Sequence, residues 1–189
     1  MTINKMTTTY GGLCFFSLIT TILSYFIPFD MDAAIGWKIL YIFALLGTCG
    51  LFLYLALQLK KRKSWFNRLT LLLLALCFPF LCASLFTSVI PVMVVLVVFV
   101  FLHIVHGLSF MIPVLFKKMN GVPTSFLFWM MLGLLFSVYA VVLWLTGQQV
   151  ANFNTETIGF IGCGCVCSAI QGAYSAIKKK MDGALAKHF

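Results

Sequence analysis

Acidic residues are almost missing from this chain. Only Asp30, Asp32, Glu156 and Asp182 occur in 189 residues, and charged residues of both signs amount to 9%, against about a quarter in an ordinary soluble domain. That scarcity excludes most soluble folds and leaves the apolar runs without a carboxylate. No H-E-x-x-H, P-loop or G-x-S-x-G occurs, which removes zinc-dependent hydrolysis, nucleotide-driven work and the nucleophile elbow. Gly162-Cys163-Gly164 begins a dinucleotide fingerprint, but Cys167 stands at its last glycine and no strand precedes it. Gly107-Leu108-Ser109-Phe110 faintly resembles the serine motif of rhomboid proteases, yet no later span supplies a histidine, since His188 lies in the tail. Aspartyl intramembrane proteolysis and carboxylate-coupled pumping fail for want of an acid at depth. Asn-x-Ser/Thr sequons are also missing, which fits a bacterial membrane.

What is present is apolar. Hydrophobic residues make up 62% of the chain, 20 of them Phe, and the mean hydropathy is +1.08. One compact core cannot hide that much apolar surface, so the remainder faces lipid. Cutting the chain where charge, Pro, Gly or polar clusters interrupt the runs leaves six pieces of the length that crosses a bilayer. They cover about residues 11–27, 34–59, 69–86, 90–116, 124–145 and 157–177, with a basic cytoplasmic tail over 178–189. Spans three and four come from 48 residues without Asp, Glu, Lys or Arg; a single helix of that length would measure about 72 Å, more than two bilayers. The fold-back is expected at Thr87-Ser88-Val89-Ile90-Pro91, where Ser88 caps and Pro91 suits a first turn. The runs lack barrel-type alternation. The expected fold is all-α, a single polytopic domain of six transmembrane helices arranged as three hairpins. The first run is too long for a signal-peptide core and has no small-x-small cleavage site, so it reads as a retained span.

Basic residues set the orientation. With the N-terminus cytoplasmic, Lys5, Lys60, Lys61, Arg62, Lys63, Arg68, Lys117, Lys118, Lys178, Lys179, Lys180 and Lys187 all fall inside, 12 of 13, and only Lys38 falls outside. This asymmetry places both termini in the cytoplasm. The net charge of +9 resides in short clusters at the ends of apolar runs and is not interleaved with aromatics along a polar face. The expected partners are therefore the bilayer and its anionic lipids at the cytoplasmic face, not nucleic acid.

The basic stops recur. Lys60, Lys117 and Lys178 are separated by 57 and 61 residues, and ten residues before each stand Gly50, Gly107 and Ser168. This spacing is either a true internal repeat or the ordinary consequence of three hairpins. With its size, hairpin spacing and stretches such as Ile104-Val105-His106-Gly107-Leu108 followed by Lys117-Lys118, the chain resembles the HdeD acid-resistance membrane proteins of bacteria over about residues 11–180. The resemblance implies six spans, a role in surviving acid at the inner membrane, and no catalytic residues to carry over.

Ionisable groups at a helix centre cost on the order of 2.5–3.5 kcal/mol, so those present are candidates for function. Only His103 and His106 lie deep in a span, and their i, i+3 spacing puts both on one helix face. Three readings stay open for them: structural histidines bonded to a neighbouring helix, a proton-sensing pair, or ligands of a metal or haem. Among seven cysteines, Cys163-Gly164-Cys165-Val166-Cys167 is the densest cluster. A helix turns Cys165 away from Cys163 and Cys167, so packing is the default and soft-metal passage the alternative. Gly164, Ser168, Gly172 and Ala176 form a small-xxx-small row, with Gly159 and Cys163 beginning a second; such rows mark helix packing, internal or across a homo-oligomer seam. Pro79 and Pro113 fall inside spans, while Trp37, Trp129, Trp144, Tyr10 and Tyr41 sit near span ends like interfacial anchors. The expectation is a non-enzymatic inner-membrane protein of acid tolerance or membrane integrity, with no cofactor. The alternative is a small channel or carrier lined by His103, His106, Gln58 and Gln171.

Overall fold

A computed structural model of the chain describes residues 3–27, 34–58, 65–87, 92–116, 122–148 and 154–185, with side chains described up to residue 181. They form six helices: α1 (Ile3–Phe26), α2 (Ile35–Gln58), α3 (Trp65–Ser84), α4 (Val92–Leu115), α5 (Thr124–Thr146) and α6 (Thr155–Leu185). No strand occurs among the described residues. All six are long and apolar enough to cross a bilayer, and the protein is a multi-pass membrane protein.

Its surface is organised accordingly. Large apolar side chains such as Phe15, Phe43, Leu76, Phe101, Leu135 and Val142 point outward, while Thr20, Thr48, Ser84, His103, His106 and Ser137 are buried. Such an arrangement would be costly in water and is the natural one in lipid, where a polar group needs a partner inside the protein. Many of the hydroxyls find theirs on their own helix: Thr20, Thr48, Thr70 and Ser137 each donate to the carbonyl four residues earlier, at 2.8–3.0 Å.

Each helix packs on its sequence neighbours, α1 packs on α6 to close a ring, and α4 also reaches across to α6. Helix direction follows from paired levels. Along α5 and α6, Gly133 lies beside Val166, Ser137 beside Gly162 and Trp144 beside Gly159, which is antiparallel; Phe99 with Phe160, His103 with Cys163 and Phe110 with Tyr174 make α4 and α6 parallel. Lys5, Arg68 and Lys178 to Lys180 therefore gather at one end of the ring, called here the basic end. Lys38, which sits 5.3 Å from the Phe86 ring, and Glu156 mark the other.

Two boundaries differ from the sequence reading. Helix α1 starts at Ile3, ahead of the span read from near Gly11, and within its first turns Thr7, Thr8 and Thr9 satisfy their hydroxyls on the carbonyls of Ile3, Asn4 and Lys5. The last helix runs through Lys178-Lys179-Lys180 to Leu185, so much of the basic tail is helical. Its 31 residues make about 46 Å of helix, well beyond the hydrocarbon thickness. The fold-back after span three begins with turn bonds from Leu85 and Phe86 to Cys82 and Ala83; Ser88 to Pro91 lie outside the described residues, as do Lys60 to Lys63, Lys117, Lys118 and Lys187. Pro79 lies within α3 and Pro113 in the last turn of α4. Gly147 ends α5 in the left-handed conformation, φ 66°, where the absence of a Cβ removes the strain.

Candidate functional site

The two histidines meet at the centre of the ring. His103 and His106 are 1% and 4% exposed, with ring centroids 6.3 Å apart. The Nε2 of His103 lies 3.1 Å from the carbonyl oxygen of Cys163 on α6. A carbonyl only accepts, so this nitrogen carries the proton and donates, and Nδ1 is left as a bare lone pair. The Sγ of Cys167 lies 3.7 Å from the same nitrogen. His106 Nε2 shares a 2.9 Å bond with the hydroxyl of Tyr10 on α1, whose ring lies parallel to the imidazole at 8°. The Nδ1 atoms of both histidines are buried without a hydrogen-bond partner.

Aromatic rings enclose the pair. Phe52 from α2 meets His103 edge-on at 6.0 Å and Phe99 tilts against it at 5.8 Å. Tyr174 from α6 stacks on Tyr10 at 5.9 Å. Two cavities flank the histidines. One, of about 20 Å³, touches His103 and is lined by Phe52, Phe78, Phe99, Phe160 and Cys163 among others, with Thr20 and Thr48 beside them. The second, of about 60 Å³, touches His106 and is lined on its polar side by Tyr10, Asn67, Ser109 and Tyr174.

Tyr10 and Tyr41 turn into the protein rather than outward towards lipid headgroups. Tyr10 is 2% exposed and bonded to His106; Tyr41 is fully buried and donates to the carbonyl of Ile27 at 2.7 Å. Trp144 is also largely buried, while Trp37 and Trp129 are exposed. Tyr10, Asn67, Ser109, Tyr174 and the Cys163 carbonyl are the site members that sequence reasoning missed. The Thr7-Thr8-Thr9 run before Tyr10 was the available signal, since threonine hydroxyls can be satisfied on their own helix and so tolerate a helix that begins before the apolar run.

Other candidates fall elsewhere. Cys163 and Cys167 face inward and Cys165 turns towards a groove between α1 and α6. All seven cysteines are unpaired. Among the described residues no three His, Cys, Asp or Glu side chains converge as a metal site requires. Gln171 packs at the level of Gly11 on the α1 seam, and Gln58 is half-buried at the end of α2; neither lines the cavities beside the histidines. Along the small-residue row, Gly164 lies against Ser17, Ser168 donates to the sulfur of Cys14 at 3.3 Å, and Gly172 has open space beside it; Ala176 is half-buried. Gly50, Gly107 and Ser168, alike in spacing, differ in surroundings: Gly107 is pressed by Leu134, Val166 and Met130, Gly50 has no neighbour within 4 Å of a built Cβ, and Ser168 is exposed.

The fold and its centre define a class, a closed ring of six membrane helices around a buried histidine pair. Comparison with known proteins finds no matching family model, curated protein or solved structure.

Proposed function

We propose that the protein is a non-enzymatic, acid-responsive protein of the bacterial inner membrane, HdeD-like in role, with both termini cytoplasmic and the His103 and His106 pair as the element that answers to protons. The observation that carries this reading is the state of the pair: two imidazoles at the centre of the ring, His106 held at Nε2 by Tyr10 and His103 at Nε2 by the Cys163 carbonyl with the Cys167 sulfur beside it, and Nδ1 of each unpartnered. Imidazole is the side chain that gains a proton in mildly acid water. A proton on Nδ1 of His103 would create a cation and a donor with no acceptor, in a setting without a carboxylate. Its cost is relieved by admitting water or by shifting α4 against α1 and α6, and either response turns acidity into a change of shape.

The orientation is part of the proposal. Lys5, Arg68 and Lys178 to Lys180 share one end, which the positive-inside rule assigns to the cytoplasm, where they meet anionic headgroups.

A strain lacking the protein is expected to survive low pH less well than its parent; equal survival refutes the acid role. Replacing both histidines, His103→Asn with His106→Asn, is expected to leave the protein in the membrane at normal abundance and abolish the rescue. Full rescue by that variant clears the pair of sensing. A second reading, a conduit for ions or small solutes, is favoured by the cavities on either side of the pair. Liposomes whose ion, proton and solute fluxes are unchanged by the protein would dispose of it.

A further inference from the structure

We infer that the cavity at the basic end is a water-filled vestibule through which protons reach His106 from that face of the membrane alone, the chamber beside His103 being a dry dead end. The inference takes the histidine pair as the responsive element, as proposed above, and adds the side from which it is reached.

Size and lining separate the two cavities. A buried water needs on the order of 10–15 Å³ of free space and two to four polar partners. The cavity of about 60 Å³ exceeds that several-fold and offers Asn67, Ser109 and the hydroxyls of Tyr10 and Tyr174 beside His106. The chamber of about 20 Å³ has room for one molecule at most, and phenylalanine rings form much of its wall. No residue lines both. Between them lie the bond of Tyr10 to His106 and the ring of Phe52 against His103.

Position gives the sidedness. Met6 and Asn67, in the opening turns of α1 and α3, line the vestibule, and their sequence neighbours are Lys5 and Arg68. Towards the opposite end, Leu23, Tyr41, Leu45, Leu81, Leu85 and Leu96 are all buried, and the chamber's Ser17 borders the groove between α1 and α6 at its side rather than either end of the ring. The titratable groups facing His106 are Tyr10 from α1, Tyr174 from α6 and His103 from its own helix; α2 and α3 contribute Leu55, Leu71 and Asn67 to the cavity, and among the described residues no carboxylate or ammonium lines it. Water in the vestibule can thus pass a proton to His106 by way of the Tyr10 hydroxyl bonded to its Nε2. Under the positive-inside orientation the pair reports the pH of the cytoplasm, not that of the outer compartment.

Two measurements test this. In wild-type protein in nanodiscs, radiolytic hydroxyl-radical footprinting is expected to oxidise Met6, Tyr10 and Tyr174 and to spare Phe52, Phe78 and Phe99; protection of both sets, or oxidation of both, overturns the contrast. For sidedness, Ser109→Cys and Thr48→Cys are placed singly in a chain whose seven native cysteines are replaced by Ala, and sealed vesicles are treated on each face with a charged methanethiosulfonate. Labelling of Ser109→Cys from the lysine-bearing face only, and of Thr48→Cys from neither, is the expected result. Labelling of Ser109→Cys from the opposite face, or from no face, overturns the inference; if the cysteine-free chain fails to fold, the wild-type footprint decides. The outcomes are separable from the function: a wet vestibule with full acid rescue by the double His→Asn variant keeps the inference and sinks the responsive pair, and the reverse pattern does the opposite.

Discussion

Helix α6 carries small residues on two faces, and the ring uses them differently. Towards α5, Gly159 and Gly162 meet Gly133, Ser137 and Ala140 at close range: a Cβ added to Gly162 would lie 2.7 Å from the Ser137 nitrogen and 2.9 Å from the Gly133 carbonyl, and one added to Gly133 would lie 2.9 Å from the Val166 nitrogen. Towards α1, a Cβ on Gly164 would meet only the Ser17 side chain, at 3.0 Å from Oγ, and one on Gly172 would meet nothing within 4 Å. The row Gly164, Ser168, Gly172 is the more regular pattern, and it meets α1 through side chains, Ser17 and Cys14, along the rim of a groove in that seam. Close approach requires small residues on both helices at the same level. Helix α5 supplies the backbone of Gly133 and Ser137 opposite Gly162, whereas α1 meets its row through the side chains of Ser17 and Cys14, which hold the two backbones apart there.

Three substitutions sharpen or break that contrast. Gly162→Ala drives a methyl into backbone that cannot move aside, and should cost up to about 3 kcal/mol, read as a lower melting temperature or loss of folded protein in detergent; a wild-type melt would show that the α5 seam is not tight. Tyr10→Phe removes the one partner of His106 Nε2 while keeping the ring stack, and should cost about 1 kcal/mol. If Tyr10→Phe proves as damaging as Gly162→Ala, the polar centre and not the glycine seam holds the ring together. Gly172→Ala should stay within about 0.5 kcal/mol of wild type; a marked loss would mean that this face is covered in the native membrane, and cross-linking would then identify a second copy there.

The six spans were legible because hydrocarbon thickness sets the length of an apolar run, and Lys60 to Lys63, Lys117 and Lys178 interrupt the runs where the membrane ends. Helix ends were not. Lysine is a good helix former and no Gly or Pro follows Lys178 until Gly183, so α6 continues past its charges; a basic stop marks the edge of the membrane and not the end of the helix. The histidine pair stood out as the rare ionisable groups at depth. Its partners did not: the carbonyl of Cys163 leaves no trace in residue type, and Tyr10 resembles an interfacial tyrosine unless α1 is known to begin two turns earlier. Gly162 escaped notice because its packing depends on what α5 places opposite it, which is a property of two helices and not of one pattern.

The seam between α1 and α6 joins the earliest and the latest made of these six helices. Until α6 enters the membrane, His103 has no carbonyl to bond and the polar flank of α4 faces an open cleft, with Phe160 and Cys167 absent from the wall. A chain stopped after α5 is therefore an incomplete ring with its polar centre exposed, the kind of intermediate that proteases and chaperones intercept. Ring closure makes completeness of synthesis a condition of stability, so a truncated copy of this protein betrays itself by its own unsealed interior.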